Sequence, residues 1–219
     1  FDLGTASTLE LTNDFTVSFW INETVGSGAR GIIVCGDYNN NGQGWKIQRT
    51  SDNKIGFNCA FRTALSTTLI NTGDWFHVLA TYEHNTGTNR RLRVYINGVL
   101  EGTSTGVPFN TTYTGTIYKQ IGYPYNTTGN EFTGKLDEVS AWDTLLSAPA
   151  ITELYTNGPI DLNTNTGNYT SSSNLVAWYR MGEEGTFSSG TWTLTDQGTG
   201  GNNATSANME EADRKSDTP

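Results

Sequence analysis

The stretch Phe15-Thr-Val-Ser-Phe-Trp-Ile-Asn22 decides the fold, because its side chains alternate in character. One face of the extended chain carries Phe15, Val17, Phe19 and Ile21. The other face carries Thr16, Ser18, Trp20 and Asn22. Alternation with a period of two, in a segment rich in β-branched and aromatic residues, is typical of a half-buried strand. We therefore predict a strand over residues 15–22 with its apolar face in a core.

The same pattern recurs further along the chain. Residues 75–83 repeat it, and residues 91–96 repeat it again. Asn97-Gly98 separates the latter segment from residues 99–105, and these two residue types accept the positive φ angles of a two-residue hairpin. Asp52-Asn53 predicts a second hairpin. The sequence thus indicates many short antiparallel strands.

Composition supports a single all-β domain. The chain has 219 residues with 25 Gly and only 5 Pro, and sandwiches and barrels often reach about 200–250 residues as one unit. The formal net charge of -9 argues against nucleic acid and anionic membranes as partners. No apolar run approaches the roughly 18 residues that a membrane-spanning helix needs, so we predict no membrane insertion.

The two cysteines, Cys35 and Cys59, are predicted to be free and buried. We interpret 31–36, 44–50 and 53–60 as a three-strand meander, which places the two residues two strands and about 10 Å apart. A disulfide requires Cα atoms closer than about 7 Å. The redox compartment is therefore left open.

One helix is predicted near residue 150. Ser147 can cap its N-terminus, Ile151, Leu154 and Tyr155 form an apolar stripe, and Gly158-Pro159 ends it. Residues 159–173 are rich in Asn, Thr and Ser and show no clear pattern, so we interpret them as a loop or linker. One more strand is predicted within residues 174–207, followed by a polar tail over residues 208–219.

Three blocks carry a resemblance to a known family. They are Gly73-Asp-Trp-Phe-His-Val-Leu-Ala-Thr-Tyr82 followed by Leu92-Arg-Val-Tyr-Ile-Asn-Gly-Val-Leu100, then Phe132-Thr-Gly-Lys-Leu-Asp-Glu-Val-Ser-Ala-Trp-Asp143, and finally Leu146-Ser-Ala-Pro-Ala-Ile-Thr-Glu-Leu-Tyr155. In this order they resemble the laminin-G-like and pentraxin-like jelly rolls of the concanavalin-A-like lectin and glucanase superfamily. The resemblance implies an antiparallel two-sheet jelly-roll β-sandwich with one short helix, whose core spans residues 1–158.

The C-terminal part adds to this resemblance. Residues 174–182 and 194–202 resemble the segment that usually opens such a domain, yet here it comes last. Either the domain is circularly permuted or the segment belongs to a following module. We favour the first alternative, because Trp178, Tyr179 and Met181 would otherwise lie exposed. Modules of this type recur in bacterial surface proteins and tailed-phage virions, which implies a location on a virion or an extracellular surface.

The segment Asp37-Tyr-Asn-Asn-Asn-Gly42 fits the first half of an EF-hand calcium loop. Its candidate calcium ligands are Asp37, Asn39 and Asn41. The alternative is an ordinary Asn- and Gly-rich hairpin connection. The resemblance to calcium-dependent pentraxins favours a metal here, but it also requires a second acidic loop near residues 121–131. Only Glu131 is acidic there, which implies that a paired-calcium site is not intact.

The same two loops carry aromatic and amide side chains. Flat rings stack on the C–H faces of sugars, and amides or carboxylates bond to hydroxyls. We therefore predict a saccharide site if both loops meet at one rim. Its candidate residues are Tyr38, Asn40, Trp45, Tyr123, Tyr125, Asn126, Asn130 and Glu131. The alternative is that these rings pack at the edge of the sandwich.

Catalysis is not predicted. Asp137 and Glu138 are adjacent, and neighbouring side chains of a regular strand point to opposite faces, so they are not expected to flank one glycosidic bond. We expect His77 to be a hydrogen-bonded structural residue. The sequence therefore favours a non-catalytic recognition module that binds a glycan or surface polysaccharide. The alternatives are a structural or adhesion component that contacts other copies or modules and, with least support, a glycoside-active enzyme.

Overall fold

The structure, a computed structural model, describes the chain except for residues 5–6, 25–26, 37–42, 86–89, 109–112, 114–116, 124–130, 207–208 and 217–218. The first eight strands are Phe15–Asn22 (β1), Arg30–Gly36 (β2), Trp45–Arg49 (β3), Ile55–Cys59 (β4), Arg62–Leu65 (β5), Trp75–Glu83 (β6), Arg91–Ile96 (β7) and Val99–Thr105 (β8). Then follow Tyr118–Ile121 (β9), Lys135–Trp142 (β10), the helix Ala148–Thr156 (α1), Leu175–Tyr179 (β11), Gly185–Ser188 (β12), Thr191–Leu194 (β13) and Ala204–Ser206 (β14).

The strands form two antiparallel layers. One is a six-stranded sheet in the order β11-β10-β1-β6-β7-β8, and the other is a five-stranded sheet in the order β5-β4-β3-β2-β9. The three-stranded sheet β12-β13-β14 continues the second layer, because Asp2 bridges Gln120 of β9 and Thr205 of β14. The predicted two-sheet β-sandwich with one short helix is confirmed.

Apolar side chains from both sheets form the core between the layers. Phe15 of β1 lies with its ring centroid 5.5 Å from that of Trp45 and 6.0 Å from that of Phe57 in the opposite sheet. The alternation that predicted β1 is confirmed, since its apolar face lies in this core. The predicted Asn97-Gly98 turn is also confirmed, and both residues have positive φ angles of 50° and 76°.

The pairing of β2, β3 and β4 sets the positions of the two cysteines relative to each other. Cys35 pairs with Trp45, and Trp45 pairs with Cys59, so one strand separates the two thiols. Both cysteines are free and buried, as predicted. Burial raises the pKa of both thiols well above the ordinary value, so they remain protonated, and the Cys35 thiol donates a hydrogen bond to the Leu9 carbonyl at 2.9 Å.

A second core lies on the outer face of the six-stranded sheet. Helix α1 contributes Ile151 and Leu154 to it, and the helix begins at the Ser147 cap as predicted, with Ser147 Oγ accepting a hydrogen bond from the Ala150 amide. Residues 159–173, for which the sequence shows no pattern, also pack here. Tyr169 is fully buried, accepts a hydrogen bond from Trp142 Nε1 at 3.0 Å and donates one to the Leu162 carbonyl at 2.8 Å.

The C-terminal strand belongs to the same sandwich. β11 pairs with β10, and Trp178 and Tyr179 are buried. The far edge of β11 is held by residues 196–200, where the carboxylate of Asp196 accepts hydrogen bonds from the amides of Trp178, Gly198 and Asn202. No helix among the residues described is long and apolar enough to cross a membrane.

Candidate functional site

Most of the predicted loop residues lie outside the part of the chain that the structure describes. These residues are Asp37, Tyr38, Asn39, Asn40, Asn41, Tyr125, Asn126 and Asn130. Their roles as saccharide contacts or calcium ligands therefore stay predictions. The anchors of both loops are described, and they fix where each loop leaves the sheet.

One anchor lies at the C-terminal end of β2 and the other lies beside the middle of the same strand. The β2–β3 loop leaves at Gly36, which pairs with Tyr118 at the start of β9. The β9–β10 loop leaves after Ile121, which pairs with Ile33, and the next amide, of Gly122, donates to the Ile32 carbonyl. Because β2 and β9 are antiparallel, their C-terminal ends point in opposite directions. The two loops thus leave these strands in opposite directions, and their meeting at one rim stays a prediction.

Trp45 requires a correction, because it is not available as a stacking platform. It is only 2% exposed, its ring packs against Phe15 and Phe57, and its Nε1 donates to the Leu9 carbonyl at 3.3 Å. As the first residue of β3, it points into the core rather than toward the loop. Tyr123 is half-buried and Glu131 is exposed at the base of the second loop.

A β-bulge breaks the expected alternation of Asp137 and Glu138. The β1–β10 register passes from Ser18↔Ser140 to Trp20↔Asp137, and Glu138 has a φ of 51°. The prediction that the two carboxylates point to opposite faces is therefore wrong. Carboxylate oxygens of Asp137, Glu138 and Glu183 all lie within 4.8 Å of one another. Sequence reasoning missed Glu183, because nothing in its local pattern links it to β10.

Side chains of the same chain already bind one member of this acidic cluster, Glu138. Trp178 Nε1 donates to Glu138 Oε2 at 2.6 Å, and Arg180 Nε pairs with Glu138 Oε1 at 3.2 Å. Burial raises the pKa of Asp137 to about 7, helped by the charges of Glu183 and Glu138 and opposed by a hydrogen bond from the Glu138 amide. Burial also raises the pKa of Glu138, against the hydrogen bonds from Trp178 and Arg180. Although three carboxylates could hold a cation, Arg180 already forms an ion pair with one of them, Glu138.

A small cavity lies beside this cluster, between the sheet and α1. It measures ≈ 20 Å³, and Ser18, Trp20, His77 and Glu138 are among its lining residues. That volume holds about one water molecule and is far below the roughly 300–1,000 Å³ of a ligand pocket. Ser18 Oγ lies 2.7 Å from His77 Nε2, whereas His77 Nδ1 has no hydrogen-bond partner among the residues that the structure describes. His77 is thus a structural residue, as expected, but only one of its ring nitrogens is satisfied.

Burial keeps the His77 ring neutral. It lowers the pKa of His77 to about 3, so the ring carries no charge at physiological pH. A Ser–His pair without a carboxylate at Nδ1 and without room for a substrate lacks the geometry of a nucleophilic dyad. The cavity therefore belongs to the packing of the outer layer.

The β4–β5 turn is the described surface feature that sequence reasoning overlooked. Arg62 pairs with Cys59, and Cys59 pairs with Trp45, so this turn projects at the same end of the sheet as the β2–β3 loop. Its residue Phe61 is 68% exposed, more than the other large apolar side chains on the surface. In the sequence, residues 55–65 read as one apolar, strand-like stretch, and the turn at Ala60-Phe61 carries none of the usual turn residues that would have marked it.

Comparison with protein families assigns the chain to a known family. A model of the Laminin_G_3 family, in the concanavalin A-like lectin/glucanases superfamily, matches residues 2–152. The chain therefore belongs to this family. A search of curated proteins finds no match.

Solved structures with the same fold have low sequence identity. A protein from Bacteroides ovatus that is inferred to bind carbohydrate has a TM-score of 0.65 at 20% identity, and the match covers 94% of this chain but only 54% of that one. The CBM40 of a Ruminococcus gnavus IT-sialidase has a TM-score of 0.58 at 15% identity, covering 71% and 91%. A SAP-like pentraxin from Limulus polyphemus has a TM-score of 0.51 at 20% identity, covering 68% and 72%. At these identities, the matches support the fold alone.

Proposed function

We propose that this chain is a non-catalytic glycan-binding module that acts on a virion or cell surface. Its superfamily includes both lectins and glucanases, so the choice lies between binding a saccharide and cleaving it. The observation that carries the proposal is the burial of two of the three carboxylates that gather in this fold. Asp137 and Glu138 are each 6% exposed, and the neighbouring cavity holds about one water molecule.

Glycoside hydrolysis needs a different arrangement. Two carboxylates must flank an open groove in which a sugar ring can lie between them. Here Glu138 is held by Trp178 and Arg180, and helix α1 covers the adjoining sheet face. Recognition requires only an exposed surface with aromatic and polar groups, and it is the function that this geometry supports.

A glycan array screened with the purified protein tests the proposal. We expect binding to a defined group of saccharides, together with no release of reducing sugar from the bound ligands over several hours. Hydrolysis of any bound glycan would overturn the non-catalytic assignment. An array without signal, in the presence and absence of calcium, would overturn glycan binding itself.

Calcium is tested in the same screen. We propose Asp37, Asn39 and Asn41 as ligands on the sequence argument, with Tyr38 and Asn40 of the same loop and Tyr125 of the β9–β10 loop as saccharide contacts. If calcium positions the β2–β3 loop, a chelator will weaken glycan binding and Asp37→Asn will do the same. Unchanged binding in the chelated protein would remove the metal from the proposal.

A second candidate function is assembly through protein–protein contacts. Large apolar side chains are exposed where the edge strands β5 and β8 approach each other: Leu65, Leu69, Val99 and Leu100. This patch favours contact with other copies or neighbouring modules of a surface array. Light scattering would detect a defined multimer, and Val99→Lys should dissociate it into monomers. A monomer at all accessible concentrations would contradict self-assembly.

A further inference from the structure

The turn between β4 and β5 adopts a conformation that its residues disfavour. Ala60 has a φ of 45° and Phe61 a φ of 65°, as the two central residues of a hairpin that requires positive φ angles. The hairpin of β7 and β8 uses the favoured pair Asn97-Gly98 in the same role. A bulky side chain at positive φ is a strained outlier. The fold therefore tolerates a less stable turn in order to carry Phe61 there.

Packing does not explain the presence of Phe61. The ring is 68% exposed, and it makes no aromatic contact with any residue that the structure describes. Ala60, by contrast, is 2% exposed and joins the core. The Phe61 ring thus offers a flat apolar surface to solvent at the end of the sandwich.

The next residue adds a charge without a partner. The side chain of Arg62 is exposed, and within the described parts of the chain its guanidinium makes no hydrogen bond or ion pair. The other described arginines are engaged, apart from Arg214 in the C-terminal segment. In a chain with a net charge of -9, an unpaired guanidinium beside a bare ring is a distinct local feature.

We propose that Phe61 and Arg62 form the contact site for a carboxylate-bearing saccharide. A ring of this kind stacks on the C–H face of a sugar, and a guanidinium can bind a carboxylate through two parallel hydrogen bonds. Attraction between the Arg62 guanidinium and the carboxylate selects an acidic sugar over a neutral one, and the net charge of -9 disfavours binding of the same sugar elsewhere on the surface. The inference deepens the proposed glycan-binding function and rests on it.

The test compares binding of uronic acid oligosaccharides and sialylated oligosaccharides with binding of their carboxyl-reduced forms. We expect the wild-type protein to prefer at least one acidic series, which also tells which type of sugar supplies the carboxylate. Arg62→Gln should lose this preference, with an affinity for the acidic form lowered about tenfold. Arg214→Gln is the matched control, since it removes another unpartnered arginine, and it should bind as the wild type does.

Phe61→Gly separates recognition from folding. Glycine accepts a φ of 65° without strain, so this variant should unfold about 2–4 °C higher than the wild type while its affinity falls about tenfold. Wild-type affinity in both Phe61→Gly and Arg62→Gln would overturn the site and leave glycan binding intact. Equal binding of acidic and reduced sugars would overturn the carboxylate assignment, and an array without any bound glycan would overturn the proposed function as well.

Discussion

At β1 both faces of the six-stranded sheet are buried, but the two faces carry side chains of different chemistry. All eight residues of β1 are buried. Its inner face carries Phe15, Val17, Phe19 and Ile21. Its outer face carries Thr16, Ser18, Trp20 and Asn22, covered in part by α1 and residues 159–173.

The difference shows how each face specifies its neighbours. Apolar burial is non-directional, so the inner face requires only volume and shape from the opposite sheet. Each buried polar group on the outer face needs a particular partner. Thr16 Oγ1 donates to the Thr144 carbonyl at 2.8 Å and accepts from the Leu146 amide at 3.1 Å, which fixes the chain just before α1. Asn22 Nδ2 likewise donates to the Gly73 carbonyl at 2.6 Å.

The largest effect is expected on the inner face. Phe19→Ala should lower the free energy of unfolding by about 3–5 kcal/mol, because the ring is fully buried and a cavity would remain. Urea unfolding measures it. Val99→Ala, at a side chain that is 63% exposed, is the control and should change stability by less than about 0.5 kcal/mol. A Phe19→Ala variant as stable as this control would contradict the inner-face assignment.

On the outer face, Tyr169→Phe should cost about 2 kcal/mol. The substitution keeps the ring but leaves Trp142 Nε1 and the Leu162 carbonyl without their partner in a buried layer. Tyr155→Phe is the matched control, since the hydroxyl of Tyr155 makes no hydrogen bond with any residue described. Equal stability of the two variants would show that hydrogen bonds do not hold residues 159–173 on the sheet.

Asp137→Asn should change the free energy of unfolding by an amount that depends on pH. The folded-state pKa of about 7 lies above the ordinary value of 3.8, so the stabilising contribution of Asp137 is complete below pH 3.8 and is lost as pH rises through 7. An Asn side chain at this position carries no charge at any of these pH values. The variant should therefore gain stability relative to the wild type at pH 8 compared with pH 4. A difference that does not depend on pH would refute a raised pKa at this site.

The smallest effect is expected for Ser18→Ala, at about 1 kcal/mol. It removes the partner of His77 Nε2 and leaves both ring nitrogens of a buried imidazole unsatisfied. Ser188→Ala, at an exposed residue of β12, serves as the control. If the paired variants unfold at the same urea concentration, a water molecule in the cavity replaces the hydroxyl.

Local patterns in the sequence determined most of the strands, the Asn97-Gly98 turn and the cap of α1. These features depend on alternation, turn chemistry and capping, which act over a few residues and are visible in a linear chain. The buried, unpaired state of Cys35 and Cys59 followed from the same reasoning, since strand spacing excludes a disulfide. The family blocks, which lie between residues 73 and 155, carried the fold class.

Tertiary structure alone decided the rest. The bulge at Glu138 brought Asp137, Glu138 and Glu183 together, and it arises from the pairing of β10 with β1 rather than from any local signal. Trp45 belongs to the core because its strand register turns the ring inward, although its position beside a loop suggested a ligand contact. Contacts between residues far apart in the chain depend on the register of whole strands, and a shift of one residue would move each of these side chains to the opposite face.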